Sequence, residues 1–153
     1  DVIKAEGIAT VFGYHNHNME FNRVATKEQQ EKVKGNHFAA FMKVGDQIYD
    51  LMLKDTDPIK VYFEMDVYWA VMGQQDPIEW LKKYPNRIKV LHIKDRAILG
   101  ESGMMNFENI FRQAYANGIK DYFVELEGMP DGRSQFEGVK GCVDYLLKAP
   151  FVK

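Results

Sequence analysis

The sequence predicts an α/β fold built on a parallel sheet. Three observations carry it: short β-rich apolar runs recur along the chain, stretches with helical spacing lie between them, and Gly, Pro or Asn punctuates the joins. The first run covers residues 8–15 and follows Gly7, a residue that readily ends a helix, so Asp1 to Glu6 read as the last turns of one. The second covers residues 60–66 and opens after Asp57-Pro58. The third, residues 87–94, follows the breaker Tyr84-Pro85-Asn86, and the fourth, residues 121–127, follows Asn117-Gly118. Between them, Asp76-Pro77 supplies an N-cap and a proline at the first helical position, with Ile78, Trp80 and Leu81 as the buried side. Asn106 caps a second helix in which Phe107, Ile110, Phe111 and Ala114 recur at helical spacing. A final helix carries Phe136, Val139, Val143, Leu146 and Leu147 on one side.

One segment breaks this rhythm. Residues 26–34 are charged with little apolar face, and residues 24–47 read as a surface excursion with a short hairpin around Val44-Gly45-Asp46. A helix is expected to begin near Asp46. Apart from that excursion, residues 1–153 read as a single domain.

Composition narrows the function classes. The chain has 153 residues, 46% hydrophobic and 27% charged, which excludes a disordered or fibrous protein. No apolar run approaches the roughly 18 residues that a membrane helix needs. With 20 basic and 22 acidic side chains, a net charge of −2 and no Lys/Arg stripe, neither nucleic acid nor a membrane surface is an expected partner. The single cysteine, Cys142, excludes an internal disulfide and a cysteine-based zinc finger, and reads as structural. The first residues lack a leader's basic and apolar regions, so a cytoplasmic location is expected; a periplasmic one stays open if a leader precedes the chain.

Polar residues collect where each strand ends. Residues two apart on a strand share a face, which pairs His15 with His17, Glu64 with Asp66, His92 with Lys94, and Glu125 with Glu127. In parallel α/β folds, ligands gather at the carboxyl ends of the strands. Histidines and carboxylates converging there form a ligand set for a divalent cation such as Mn, Zn or Co, which also offsets the repulsion between carboxylates. Taken one at a time the residues also have plainer readings. Glu64 serves equally as a buried ion-pair partner, His17 as an orienting group behind a ligand, and Trp69 and Tyr68 as core packing or as walls of a sugar pocket. His37 reads as a surface residue.

Four stretches, in this order, carry a resemblance: Tyr14-His15-Asn16-His17-Asn18-Met19-Glu20-Phe21, Phe63-Glu64-Met65-Asp66-Val67-Tyr68-Trp69, Leu91-His92-Ile93-Lys94-Asp95 and Val124-Glu125-Leu126-Glu127. They resemble the sugar phosphate isomerase/epimerase group of the xylose-isomerase-like TIM barrels, which includes ketose epimerases, inosose dehydratases and lyases acting on keto-glycosides. The resemblance implies an eight-stranded (β/α) barrel of which this chain supplies the last four βα units. It implies one divalent ion held by Asp66, His92 and Glu125, with the fifth-strand place falling to His15 or Glu20. Glu20 is favoured as the carboxylate ligand. It also implies a sugar or keto-sugar substrate and isomerase or epimerase chemistry through a metal-stabilised enediolate. A dehydratase or β-elimination lyase at the same site is the alternative, and a non-catalytic sugar-binding remnant of a barrel is another. His15, Glu125 and Lys94 are then the catalytic candidates, and His17, Glu64, Trp69 and Glu127 the substrate contacts. The implied partner is a missing N-terminal half-barrel or a second copy of the chain.

Overall fold

The structure, a computed structural model, describes residues 11–36 and 44–153. The helix end expected at Asp1 to Glu6, the opening of the first run, His37 and the rest of residues 37–43 lie outside the described residues. In chain order the elements are β1 (Phe12–His15), a 3-10 turn (Met19–Phe21), β2 (Arg23–Val24), α1 (Lys27–Val33), β3 (Asp46–Gln47), α2 (Ile48–Asp55), β4 (Val61–Asp66), α3 (Val67–Met72), α4 (Pro77–Lys83), β5 (Ile88–Ile93), α5 (Phe107–Ala116), β6 (Asp121–Val124) and α6 (Gln135–Lys148). Strands β1, β4, β5 and β6 stand in that order in one sheet, and every neighbouring pair is parallel.

Alternation along these strands sorts two faces. Phe63, Met65, Leu91 and Ile93 point one way and are buried with Leu53, Leu81, Phe107, Ile110 and Phe111 of the covering helices. Each such side chain contributes about 1.5–3 kcal/mol by leaving water. The other face carries Gly13, Tyr62, Glu64 and His92. Gly13 is needed there because a Cβ would lie 2.5 Å from the Tyr62 ring. Between β4 and β5 the register shifts at Phe63/Glu64, whose partners are Ile88 and Val90, so Lys89 is an extra residue on β5. That bulge sends Ile88 to the buried side while leaving His92 opposite Asp66.

The helix caps read from sequence are present. Asp76 accepts from the Ile78 N–H with Pro77 at the first position, and Asn106 accepts from the Asn109 N–H. The charged stretch forms a helix, α1, with no buried residue, opened by a capping box between Thr26 and Gln29. Three expectations are corrected. The hairpin is not local to Val44–Asp46: Arg23 and Val24 pair antiparallel with Gln47 and Asp46 across the whole excursion, and the helix begins at Ile48. Strand β6 stops at Val124, so Glu125 and Glu127 stand on the loop beyond it. On α6 the expected apolar side is buried only in part: Leu146 packs against the core, but Phe136 is 78% and Leu147 81% exposed, while Gly138 and Cys142 face inward. The inward side packs closely: a Cβ on Gly138 would come within 2.5 Å of Leu126, and one on Gly141 within 2.6 Å of Ile98.

Asp50 pins α2 to α4. Its carboxylate accepts from Lys54 and Lys83 at 2.5 Å each and from the Tyr84 hydroxyl. Burial alone raises a carboxyl pKa, but these three donors outweigh it and hold Asp50 down at about 2. A depressed carboxyl stabilises the fold above its unfolded value near 3.8 and loses that contribution as pH falls toward 2. Asp50→Asn is therefore expected to cost about 2 kcal/mol at neutral pH, and the deficit should shrink below pH of about 3.5. Urea unfolding of both proteins across pH checks it; a deficit that is constant with pH is the contrary result. Among the described residues, no helix is long and apolar enough to cross a membrane.

Candidate metal centre

Strand ends bring the site together. His15 closes β1 opposite Glu64 of β4, and Asp66 closes β4 opposite His92 of β5. Asp66 has two tasks because it is both the last residue of β4 and the N-cap of α3. Its Oδ1 accepts from the Trp69 N–H at 2.8 Å, which leaves Oδ2 turned toward the two imidazoles. Asp66 is fully buried, and Oδ2 accepts no aligned hydrogen bond. That oxygen lies 3.1 Å from His92 Nδ1 and 3.6 Å from His15 Nε2, and the two ring nitrogens are 3.3 Å apart.

Glu64 sets the state of His15. Its Oε1 lies 3.1 Å from His15 Nδ1. An Nδ1–H donated to that carboxylate would leave Nε2 to face Asp66. A carboxylate behind an imidazole is a common way to orient a metal-binding histidine. His92 is pulled down by burial, but the carboxylates of Asp66, Glu125 and Glu64 outweigh that and raise its pKa. The cluster thus favours positive charge at its centre.

These donors fit a divalent ion. His15, Asp66 and His92 each offer one ligand atom, all within 4.8 Å of one another. Tetrahedral ligands at roughly 2.1 Å from an ion stand about 3.4 Å apart, close to the separations here. The buried Asp66 oxygen without a hydrogen bond is the group such an ion would satisfy.

The remaining candidates surround this triad. Glu125 follows β6, its N–H donating to the Ile93 carbonyl at 3.1 Å, and its Oε2 reaches within 4.0 Å of His92 Nε2. Lys94, whose side chain is 2% exposed, donates to Glu125 at 3.0 Å and also pairs with Glu127. Burial lowers the Lys94 pKa, but Glu127 and Glu125 more than offset it and hold the ammonium charged. Glu125 is raised by burial and lowered more strongly by Lys94 and the two histidines, so it is ionised. The Lys94 ammonium lies over the Trp69 and Tyr68 rings at 4.8 and 5.7 Å. His17 leans on His15 at 5.2 Å and on Trp69 at 5.7 Å between ring centroids. These side chains form one wall beside the triad.

Glu20 lies elsewhere. Its Oε1 accepts from the Tyr14 hydroxyl at 2.6 Å and its Oε2 from the His17 N–H at 3.0 Å, so it ties down the loop after β1. Burial and Glu20 together push Tyr14 up to about 12, which keeps that hydroxyl a donor. The structure brings His15, and not the favoured Glu20, beside Asp66 and His92. Two roles are not legible in the sequence: Glu64 behind His15, and the buried Asn16, whose amide holds the Asp66 backbone. Nothing in residue spacing marks Asn16, since it stands between two histidines as one more polar residue.

A four-stranded parallel α/β unit with two histidines and an aspartate converging at its strand ends belongs with the α/β proteins that work from the carboxyl ends of their strands. Comparison with solved structures makes this specific, and bears out the resemblance to the sugar phosphate isomerase/epimerase group of xylose-isomerase-like barrels. The chain aligns over its whole length with a sugar phosphate isomerase/epimerase from Parabacteroides distasonis at 79% identity, with a TM-score of 0.88 and 51% of that chain covered. A second sugar phosphate isomerase/epimerase from the same organism aligns over 97% of this chain at 55% identity, with a TM-score of 0.84 and 48% of that chain covered. Among curated proteins, an inosose dehydratase of Clostridium tetani is 33% identical over 76 residues, half of this chain and 25% of the relative. Another, from Geobacillus thermodenitrificans, is 27% identical over 116 residues, 76% of this chain and 38% of the relative. No protein-family model matches the chain. The chain spans about half the length of the solved structures it resembles, as part of a TIM barrel does.

Proposed function

We propose that this chain carries the metal-binding part of an enzyme that removes a proton next to the carbonyl of a sugar or keto-sugar. The carrying observation is the buried Asp66 oxygen, without a hydrogen bond and facing two imidazole nitrogens at 3.1 and 3.6 Å. His15, Asp66 and His92 would hold one divalent ion, of which Mn, Zn and Co suit the donor set, with Glu125 beside it. Such an ion supplies polarisation of the substrate carbonyl.

The chain's own residues do the rest. Glu125, ionised and in reach of the triad's open side, takes the proton from the carbon next to the carbonyl. Lys94 aims the Glu125 carboxylate and places a positive charge where the enediolate oxygen develops. His17 and Trp69 form an aromatic wall for the sugar ring, and Glu127 holds Lys94 from its far side. Return of the proton by Glu125 to the neighbouring carbon, with the hydroxyl proton passing between the two oxygens, completes an isomerisation; epimerisation needs in addition a second group on the opposite face to deliver the proton there. A second reading, dehydration, is favoured by the inosose dehydratases among the relatives. In that reaction the enediolate is not reprotonated on carbon: the C–O bond at the β-carbon breaks, and the hydroxyl leaves as water with the proton that Glu125 took. The other four strands of the barrel are proposed to come from a second half-barrel outside these residues, covering the apolar edges at Phe12 and Phe123.

Two measurements test the reading. Mass spectrometry after purification without chelator or affinity nickel is expected to find about one Mn, Zn or Co per chain. Incubation with ketohexoses or inosose in deuterated water is expected to place deuterium next to the carbonyl, or to yield the dehydrated product. Absence of metal even after incubation with an excess overturns the ligand set, and metal without any deuterium uptake or dehydration overturns the chemistry.

A further inference from the structure

Strand β1 ends one residue before its neighbour on β4 would next need a partner. His15 is the last paired residue, yet the N–H of the buried Asp66 still requires a hydrogen bond. The chain after His15 turns away, carrying His17 out to the exposed side. Asn16 fills the gap with its side chain. It is fully buried, its Oδ1 accepts from the Asp66 N–H at 3.1 Å, and its Nδ2 donates to the Asp66 carbonyl at 3.4 Å and to the His17 carbonyl at 3.4 Å. A primary amide offers the same acceptor and donor as a peptide, so Asn16 stands in for the next peptide of β1.

We propose that Asn16 is a positioning residue of the cation site: by bonding both backbone groups of Asp66, it sets the separation of His15 from Asp66 after the two strands have parted. This rests on the reading of His15, Asp66 and His92 as a metal site. Asn16 touches none of the ligand atoms. It acts on Asp66 through the backbone while Trp69 holds Oδ1, so Oδ2 has one place to go. Leucine, with the same branching and number of heavy atoms but bulkier methyl groups in place of the amide, would leave the Asp66 N–H buried and unpaired; aspartate would keep the acceptor and lose the donor.

Cobalt titration of the purified protein, followed by its visible absorption bands and by competition for affinity, tests this alongside thermal unfolding of the metal-free protein. Asn16→Leu is expected to weaken Co²⁺ binding about 10–100-fold and to alter the bands, as changes behind metal ligands do. Asn16→Asp is expected to fall between Asn16→Leu and the parent protein. If Asn16→Leu does not fold, Asn16→Asp alone decides, with weaker binding and shifted bands expected. Unchanged affinity and bands in either folded variant, even with a lowered melting temperature, overturn the proposal and leave Asn16 a structural residue only. Failure of the parent protein to bind Co²⁺ counts instead against the metal reading itself.

Discussion

Asp66→Asn is expected to remove divalent-metal binding while leaving the fold in place. The asparagine keeps an oxygen that accepts from the Trp69 N–H, so the cap of α3 survives. What it loses is the charge and the Oδ2 that faces His15 and His92. Changes one layer further out already cost about 10–100-fold in metal affinity, so loss of a ligand is expected to cost more than about 100-fold. Ligand linkage gives an independent readout. A metal present at about 1,000 times its dissociation constant stabilises the folded state by about 4 kcal/mol, and this increment should vanish in Asp66→Asn. Thermal unfolding with and without added Zn²⁺ or Mn²⁺ measures it, and an undiminished shift in the variant would remove Asp66 from the ligand set.

Glu125→Gln is expected to separate chemistry from binding. Its carboxylate sits beyond the end of β6, held by Lys94 at 3.0 Å and 4.0 Å from the His92 ring. The amide keeps the shape and can still accept from Lys94, but it cannot take a proton. A positioned general base contributes about 10²–10⁴-fold, so solvent-deuterium exchange next to the substrate carbonyl should fall by that factor. Metal affinity should weaken far less, because His15, Asp66 and His92 remain. If Co²⁺ affinity instead falls in step with exchange, Glu125 is a ligand first and its role as base is secondary.

Asp66 and Glu125 both stand out in the amino-acid sequence itself, and the reason is chemical. His15, Asp66, His92 and Glu125 each interrupt an apolar, β-rich run near its end, and a polar residue at that place is hard to explain by packing. The caps at Asp76 and Asn106 are legible for a similar reason, since short polar side chains ahead of an apolar helical pattern satisfy the first N–H groups locally. Glu20 shows where such reading stops. By residue type it suits a metal as well as any carboxylate in the chain, yet Tyr14 and the His17 N–H already take both of its oxygens. No spacing rule foretells that competition. The face of α6 is a second case: helical periodicity singles out Phe136, Val139, Val143, Leu146 and Leu147, but of these only Leu146 packs against the core, and Gly138 and Cys142 face inward beside it.

From sequence alone came the order of the elements, the parallel α/β class and the residues that stand at the strand ends, because periodicity, caps and breakers are local properties. The tertiary structure alone decided which of those residues meet. The bulge at Lys89 places His92 opposite Asp66, Glu64 holds the His15 ring from behind, and the Asn16 amide holds the Asp66 backbone where β1 departs. Each of these joins residues distant in sequence through register and hydrogen bonds, and register between strands is set by the whole sheet rather than by any one of its segments.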